Sequence, residues 1–282
     1  MNCITFNYYP NKKTKAITMS FDDGRTYDRD LIKIFNKYNI KGTFHLISNR
    51  IDTDGYITSE EIKNLYNGHE ISLHTHTHPT IAHMPNMQVN YELSENKRIL
   101  EKLSEKEVCG MSYPMGSFGS NVTECMKALG ILYGRTTLST GKFSLPDDFL
   151  LWHPTIHYSR GTKKWSKNIT YSRSILDEKL SEFTEYPEWI KDLPLMQIWG
   201  HSYELADNDD WDIMENFCKK ASCQKNIWFA TNIEIVDYVN ALKHLRFSYD
   251  CDIVYNPSAI DVWIGVNGEP VIIKANERRI LK

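Results

Sequence analysis

The sequence predicts an α/β fold in which a parallel sheet is covered by helices, either open or closed into a barrel. Two observations carry this. Short apolar runs alternate with amphipathic segments along most of the 282 residues, the mark of repeated strand–helix units. Several of those runs end in polar or glycine-rich stretches: Asp22-Asp23-Gly24, His74-Thr75-His76-Thr77-His78, Pro114-Met115-Gly116 and Gly200-His201. In parallel α/β folds the chemistry sits at the carboxyl ends of the strands, where these stretches fall.

The elements follow in order. Ala16 to Phe21 reads as a strand, and Tyr27 to Tyr38 as a helix with Leu31, Ile32, Ile34 and Phe35 on its apolar face. Strand Gly42 to Ile47 comes next. Thr58 and Glu61 form a capping box for a helix running to Tyr66, and Gly68 stops it. Strand Glu70 to His74 precedes a helix over Met87–Leu103 and a strand over Val108–Tyr113. A helix over Asn121–Leu129 stops at Gly130. Strands Ile131–Thr136 and Phe149–Thr155, helix Ser174–Phe183 and strand Pro194–Trp199 continue the alternation. Helix Trp211–Lys220, strand Ile227–Thr231 and helix Ile233–Leu242 complete it. Beyond residue 245 the pattern turns to loose alternation, with Asn267-Gly268 as a hairpin signal. The expected division is a barrel over 1–245 and a small β-rich extension, a hairpin addition packed on the barrel, over 246–282.

Composition narrows the function. A net charge of −3 with 24% charged residues lacks the basic excess of a nucleic-acid footprint. The small basic clusters Lys12-Lys13-Lys15 and Lys163-Lys164-Lys167 read as solvated surface. No apolar run is long enough to span a membrane. The N-terminus has no basic segment followed by an apolar core, so the expected compartment is cytoplasmic, or extracellular for a trimmed chain. Six cysteines without a Cys-x-x-Cys pair read as free thiols rather than a disulfide framework. The oligomeric state is left open.

The chemistry concentrates in the first two strand ends. Adjacent carboxylates repel unless something positive lies beside them, so Asp22 and Asp23 call for a cation. Residues two apart in an extended segment share a face. His74, His76 and His78 therefore all point one way, or the chain turns and only two of them converge. Imidazole and carboxylate suit a borderline divalent cation, and a catalytic site keeps one position open.

Together, Ser20-Phe21-Asp22-Asp23-Gly24 and His74-Thr75-His76-Thr77-His78 resemble the first two motifs of the polysaccharide deacetylases of carbohydrate esterase family 4. The likeness covers about residues 15 to 245. It implies a distorted (β/α) barrel with fewer strands than eight and a metal site at the carboxyl strand ends. It implies that Asp22 is the general base and that Asp23, His74 and His78 hold a divalent metal, with His76 set aside. One Asp and two His suit zinc, and cobalt or nickel would also be accepted.

The later motifs are less well kept. At the third, Pro114 and Gly116 match, Ser112 stands where the family has arginine, and Met115 where it has tyrosine. The backbone amide of Met115 still suits an oxyanion, which needs no side chain. Arg135, near the rim end of the next strand, is the candidate to brace the base in place of the missing arginine. At the fourth, Asp148 and Trp152 match, with Trp152 as a candidate pocket wall and His153 and His157 nearby; His157 is a further pocket candidate. Ile198-Trp199-Gly200-His201 fits the fifth motif and makes His201 the general acid. Trp199 and Tyr203 are placed to stack on a sugar, and Glu204 to orient His201 or contact substrate.

The expected function is a metal-dependent hydrolase that removes acetyl groups from N-acetylated sugars. One alternative keeps the chemistry and changes the substrate to another non-peptide carbon–nitrogen bond. A second is a carbohydrate-binding protein with impaired catalysis, although binding alone needs neither base nor acid.

Overall fold

Strand β2 explains the plan of the molecule. A computed structural model describes residues 1–161, 173–187 and 192–281; the basic cluster Lys163, Lys164 and Lys167 lies outside the described residues. The chain begins with β1 (Ile4–Thr5) and β2 (Lys15–Asp23), and every residue of β2 but Asp23 is buried. Its two faces differ in chemistry. Ile17, Met19 and Phe21 join the larger apolar cluster beneath the helices. Thr18, Ser20 and Asp22 alternate with them and make side-chain hydrogen bonds on the other face. Side chains two apart share a face, so one face of β2 packs helices and the other lines a polar interior.

The alternation runs as expected for most of the chain. Helix α1 (Asp28–Lys37), β3 (Gly42–Leu46), α2 (Ser59–Leu65) and β4 (Glu70–Leu73) follow, then α3 (Asn86–Ser104), β5 (Gly110–Ser112), α4 (Ser120–Ala128) and β6 (Tyr133–Arg135). The Glu61 carboxylate accepts from the Thr58 N–H at 2.7 Å, closing the expected cap of α2. After β7 (Ile156–His157) come α5 (Ile175–Glu185), β8 (Leu195–His201), α6 (Ser202–Asp207), α7 (Trp211–Ser222), β9 (Ile227–Phe229) and α8 (Asn232–Lys243).

The strands pair in parallel in the order β6-β5-β4-β3-β2-β8-β7, with β9 pairing the start of β2. Trp152 bridges Arg135 while Ile156 and His157 pair with β8. The segment 149–157 thus spans the gap between the outer strands and curls the sheet into a distorted (β/α) barrel. The continuous strand expected over Phe149–Thr155 is not there. Asp148 Oδ1 accepts from Leu150 N at 2.8 Å and starts a 3-10 turn over Phe149–Leu151, the local competition that short acidic side chains offer to a ladder. Pro154 further interrupts regular pairing, having no N–H to give.

The barrel interior is a hydrogen-bonded column. At the amino ends of the strands, buried Glu70 accepts from Tyr133 Oη (2.6 Å), Thr43 Oγ1 (3.0 Å) and Ile233 N (2.9 Å). Asn232 Oδ1, at the start of α8, accepts from Thr18 Oγ1 and Gln197 Nε2. The first turn of α8 therefore plugs the bottom of the barrel and pairs most of the polar groups buried there, though Gln197 Oε1 and Asn232 Nδ2 have no hydrogen-bond partner.

Two small antiparallel sheets lie outside the barrel sheet. The antiparallel sheet β1-β12-β13, with β12 (Val262–Val266) and β13 (Glu269–Ile273), joins the N-terminus to the tail. A second sheet is built from β10 (Arg246–Phe247), β11 (Ile253–Tyr255) and β14 (Arg278–Ile280). Asn267 and Gly268 have φ of 54° and 92°, both positive as a two-residue type I′ hairpin needs. Tyr238 of α8 docks the tail, accepting from Trp263 N at 3.0 Å and donating to Tyr8 O at 2.8 Å.

Gly110 marks a close approach within the barrel. A Cβ there would lie 1.9 Å from the ring of buried Tyr133, whose hydroxyl is committed to Glu70 and Ser72. Gly110→Ala should therefore cost about 2–3 kcal/mol or more, read as a lower urea midpoint with an unchanged m-value.

Candidate active site

Six strand ends converge at the carboxyl rim. β2 brings Asp22 and Asp23, β4 leads into His74, and β5 and β6 end in Ser112 and Arg135. β7 ends in His157, and β8 in His201. Parallel register places Asp22 beside both His45 and His201, and Ser112 beside Arg135.

Asp22 is buried and held at one oxygen. Its Oδ1 accepts from the Arg135 Nη2 and from Ser112 Oγ, the latter at 2.9 Å. Arg135 is itself fully buried and also donates through Nε to Ser20 Oγ at 3.1 Å. Burial alone would raise the Asp22 pKa, but Arg135, with His74, His45 and His201, reverses it, and the carboxyl lies well below its usual range. Oδ2 faces the other way, 4.0 Å from His74 Nε2.

The histidine loop is shaped by helix α3. Asn96 Oδ1 accepts from His74 N at 2.9 Å, and the Glu92 carboxylate takes both Thr77 N (2.7 Å) and Thr77 Oγ1 (2.6 Å). Thr75 and His78 have φ of 64° and 65°, left-handed turns that non-glycine residues adopt at a cost. The chain therefore does not stay extended. His74 and His78 come together, ring centroids 4.7 Å apart. His76 turns away, its Nδ1 bonded to Ser48 Oγ at 2.9 Å and its ring against Tyr91.

The tautomer of His74 follows from its partners. Ser112 Oγ spends its proton on Asp22, so His74 Nδ1 donates to Ser112, with Oγ at 2.7 Å and the carbonyl at 3.0 Å. That leaves the Nε2 lone pair pointing toward Asp23 Oδ1, 3.4 Å away. His78 Nε2 lies 3.9 Å from the same oxygen. Burial, with His74 beside it, lowers the His78 pKa and favours its neutral form. Asp23 Oδ1 is buried with no hydrogen-bond partner, and Asp23 holds a φ of 83°. Three acceptors facing one another without a donor fit a divalent cation, and Asp23, His74 and His78 form a cluster with metal-ligand spacing.

Across the rim, Glu204 organises the acid side. Its Oε2 lies 3.2 Å from His201 Nδ1 and 3.0 Å from His157 Nε2, and Arg160 pairs with Oε1. Burial disfavours a charged His201, but the Glu204 carboxylate beside it, helped by Asp23 and Asp22, outweighs burial and raises the pKa to about 9. His157 is pushed below its usual range, chiefly by burial. His157, expected from the sequence to face the pocket, is instead a buried partner of Glu204.

The aromatic candidates divide. Trp199 is a support: its ring carries the Arg135 guanidinium at 4.8 Å, meets His157 edge-on at 4.6 Å, and bonds Ser139 Oγ through Nε1. Tyr203 lies beside His201, ring centroids 5.1 Å apart, and is partly exposed. Trp152 is not a pocket wall. It is buried against Tyr133 and Phe149 in the second apolar cluster, because its backbone bridge to β6 directs the ring away from the rim. Asp148 caps the turn before it, and His153 bonds Thr136 Oγ1. Met115 sits in the turn after β5 with φ 54°, its side chain exposed. Sequence reasoning gave no role to Ser20, His45, Glu92, Asn96 or Arg160. Ser20 and Ser112 carried a signal only as motif positions, Ser112 as a replacement.

Residues 9–134 match the family model described as polysaccharide deacetylase. YxkH of Bacillus subtilis (strain 168), which bears a polysaccharide deacetylase name, is 26% identical over 126 residues, 44% of this chain and 45% of its own. The chain thus spans less than half the length of that relative. A Mycobacterium smegmatis structure solved under the same family name superposes with a TM-score of 0.61 at 16% identity, over 83% of this chain and 93% of that one. A family 4 acetyl xylan esterase from Clostridium thermocellum, solved with a cobalt ion, gives 0.51 at 15% identity, over 78% and 89%. At these identities the two structures share the fold. The likeness to polysaccharide deacetylases stands over the N-terminal half of the chain, and the barrel extends beyond it.

If Asp23, His74 and His78 hold a cation, zinc at a hundredfold excess over its Kd should stabilise the protein by about 2–3 kcal/mol. Differential scanning fluorimetry should show that gain lost in His78→Ala.

Proposed function

We propose that this chain is a metal-dependent hydrolase that removes acetyl groups from N-acetylated sugars. The observation that carries the reading is the division of labour at the rim. A carboxylate with one oxygen left unbraced, a donor-less acceptor triad and a protonated imidazole meet at the carboxyl ends of neighbouring strands. A divalent cation held by Asp23, His74 and His78 would supply Lewis acidity, acidifying a water and polarising the acetyl carbonyl.

The chain's own groups do the rest. Asp22 takes the proton of the attacking water at Oδ2, since Oδ1 is filled by Arg135 and Ser112. Arg135 and Ser112 fix that carboxylate in place, so the base needs no reorientation. The backbone N–H of Met115 offers an oxyanion donor from the left-handed turn after β5. His201 delivers a proton to the departing amine from Nε2, because Nδ1 is turned to Glu204. Trp199 packs against Arg135 and His157, and partly exposed Tyr203 stands beside His201 to contact a sugar.

The test is acetate release from N-acetylated chitooligosaccharides with zinc or cobalt present. Turnover should fall at least about a hundredfold in Asp22→Asn. As the acid, His201 must be protonated, so kcat should decline as pH rises through about 9. Removing the Glu204 charge leaves burial, which lowers the pKa, so the decline should move to lower pH in Glu204→Gln. No acetate with any divalent metal, or an Asp22→Asn variant as active as the parent, would contradict the reading.

A further inference from the structure

A cationic and aromatic ledge adjoins the acid side of the rim and is not used by the reaction. Arg25 follows Asp23 and Gly24 at the end of β2. Its guanidinium lies over the Tyr56 ring at 4.5 Å and over the Tyr203 ring at 5.7 Å. Arg50, just after β3, lies over the same Tyr56 ring at 6.0 Å. The two loops are tied together by Thr26 N to Gly55 O and Ile57 N to Gly24 O, both 3.1 Å, so the ledge is braced at its backbone.

Its charge is uncompensated. Among the described residues neither Arg25 nor Arg50 has a carboxylate within ion-pair distance, although the other rim arginines, Arg135 and Arg160, are both paired. Arg25 Nε is buried and has no hydrogen-bond partner. A buried guanidinium N–H without an acceptor is costly, and the usual acceptor for that planar fork is a carboxylate or phosphate. In a chain of net charge −3, two free guanidiniums at one place are not a general basic surface. Tyr203 links the ledge to the chemistry: its ring is 5.1 Å from His201 on one side and beneath Arg25 on the other.

We infer that Arg25, Arg50 and Tyr56 form a subsite for an anionic substituent, a carboxylate or phosphate, on the acetylated sugar, with Tyr203 as the stacking platform between it and His201. This rests on the deacetylase reading and adds the substrate class: an acidic N-acetylated sugar rather than a neutral polymer. A purely structural role is the competing account, in which Arg25 clamps Tyr56 and the anion is irrelevant.

The experiment compares zinc-loaded full-length protein with Arg25→Gln and Arg50→Gln. Substrates are a neutral chitooligosaccharide, a muramic-acid-containing glycan fragment (carboxylate) and N-acetylglucosamine 1-phosphate (phosphate). The kcat/KM ratio of acidic to neutral substrate should fall about tenfold or more in Arg25→Gln, as expected for loss of a charge-assisted hydrogen bond. It should fall less in Arg50→Gln. In the parent the ratio should also drop as ionic strength rises. The carboxylate and phosphate arms show which anion is preferred. Calorimetric binding of the same sugars to Asp22→Asn separates the two claims. Salt-sensitive, Arg25-dependent binding without turnover in the parent upholds the subsite and counts against the deacetylase. Turnover with an acidic-to-neutral ratio unchanged in Arg25→Gln overturns the subsite and leaves the deacetylase standing. Neither turnover nor Arg25-dependent binding overturns both.

Discussion

The buried pair between Asp22 and Arg135 is the interaction on which the site depends. Four strand spacings separate β2 from β6 in the sheet order, about 19 Å if the sheet were flat. The two side chains meet only because the sheet curls and the segment 149–157 closes the gap. Neither charge tolerates that interior alone, and losing one partner of such a pair typically costs about 3–5 kcal/mol. The pair therefore couples catalysis to closure: the carboxylate is aimed by an arginine that the barrel itself delivers.

The same demand for paired polar groups organises the rest of the interior. Glu70 gathers Tyr133, Thr43 and the first turn of α8 at the bottom. Glu204 gathers His157, His201 and Arg160 at the top. Between them Ser20 joins His45 to Arg135, and Ser112 joins Asp22 to His74. Several buried polar atoms are left over, Gln197 Oε1 and Asn232 Nδ2 in the lower network among them. Asp23 Oδ1 and Arg25 Nε are left without hydrogen-bond partners, one facing two imidazole nitrogens and the other lying on a tyrosine platform.

Much of this was legible from the chain. The strand–helix order was readable because apolar runs, caps and glycine stops follow local rules, and the Asp22-Asp23 and His74–His78 stretches stand at the strand ends where those rules place them. The interior was harder to read. Thr18, Ser20 and Asp22 sit within what looks like one apolar strand, since a polar barrel lumen leaves the same short-range pattern as a buried sheet. His76 was separable from His74 and His78 by resemblance, but the cause is tertiary: Glu92 and Asn96 of α3 turn the loop. Trp152 was misplaced because a motif match carries no information on side-chain direction, and Asp148 had already started a turn. Glu204 was named as a partner of His201, while its second imidazole, His157, lies 47 positions earlier on a neighbouring strand. No local pattern links them.

The claim that Arg135 aims the base is tested most directly by single-turnover acetate release in Arg135→Met, with bound zinc counted in the same sample. The account predicts one zinc per chain, as in the parent, because Asp23, His74 and His78 are untouched, together with a rate lower by about a hundredfold or more. A parental rate at full zinc occupancy would contradict it.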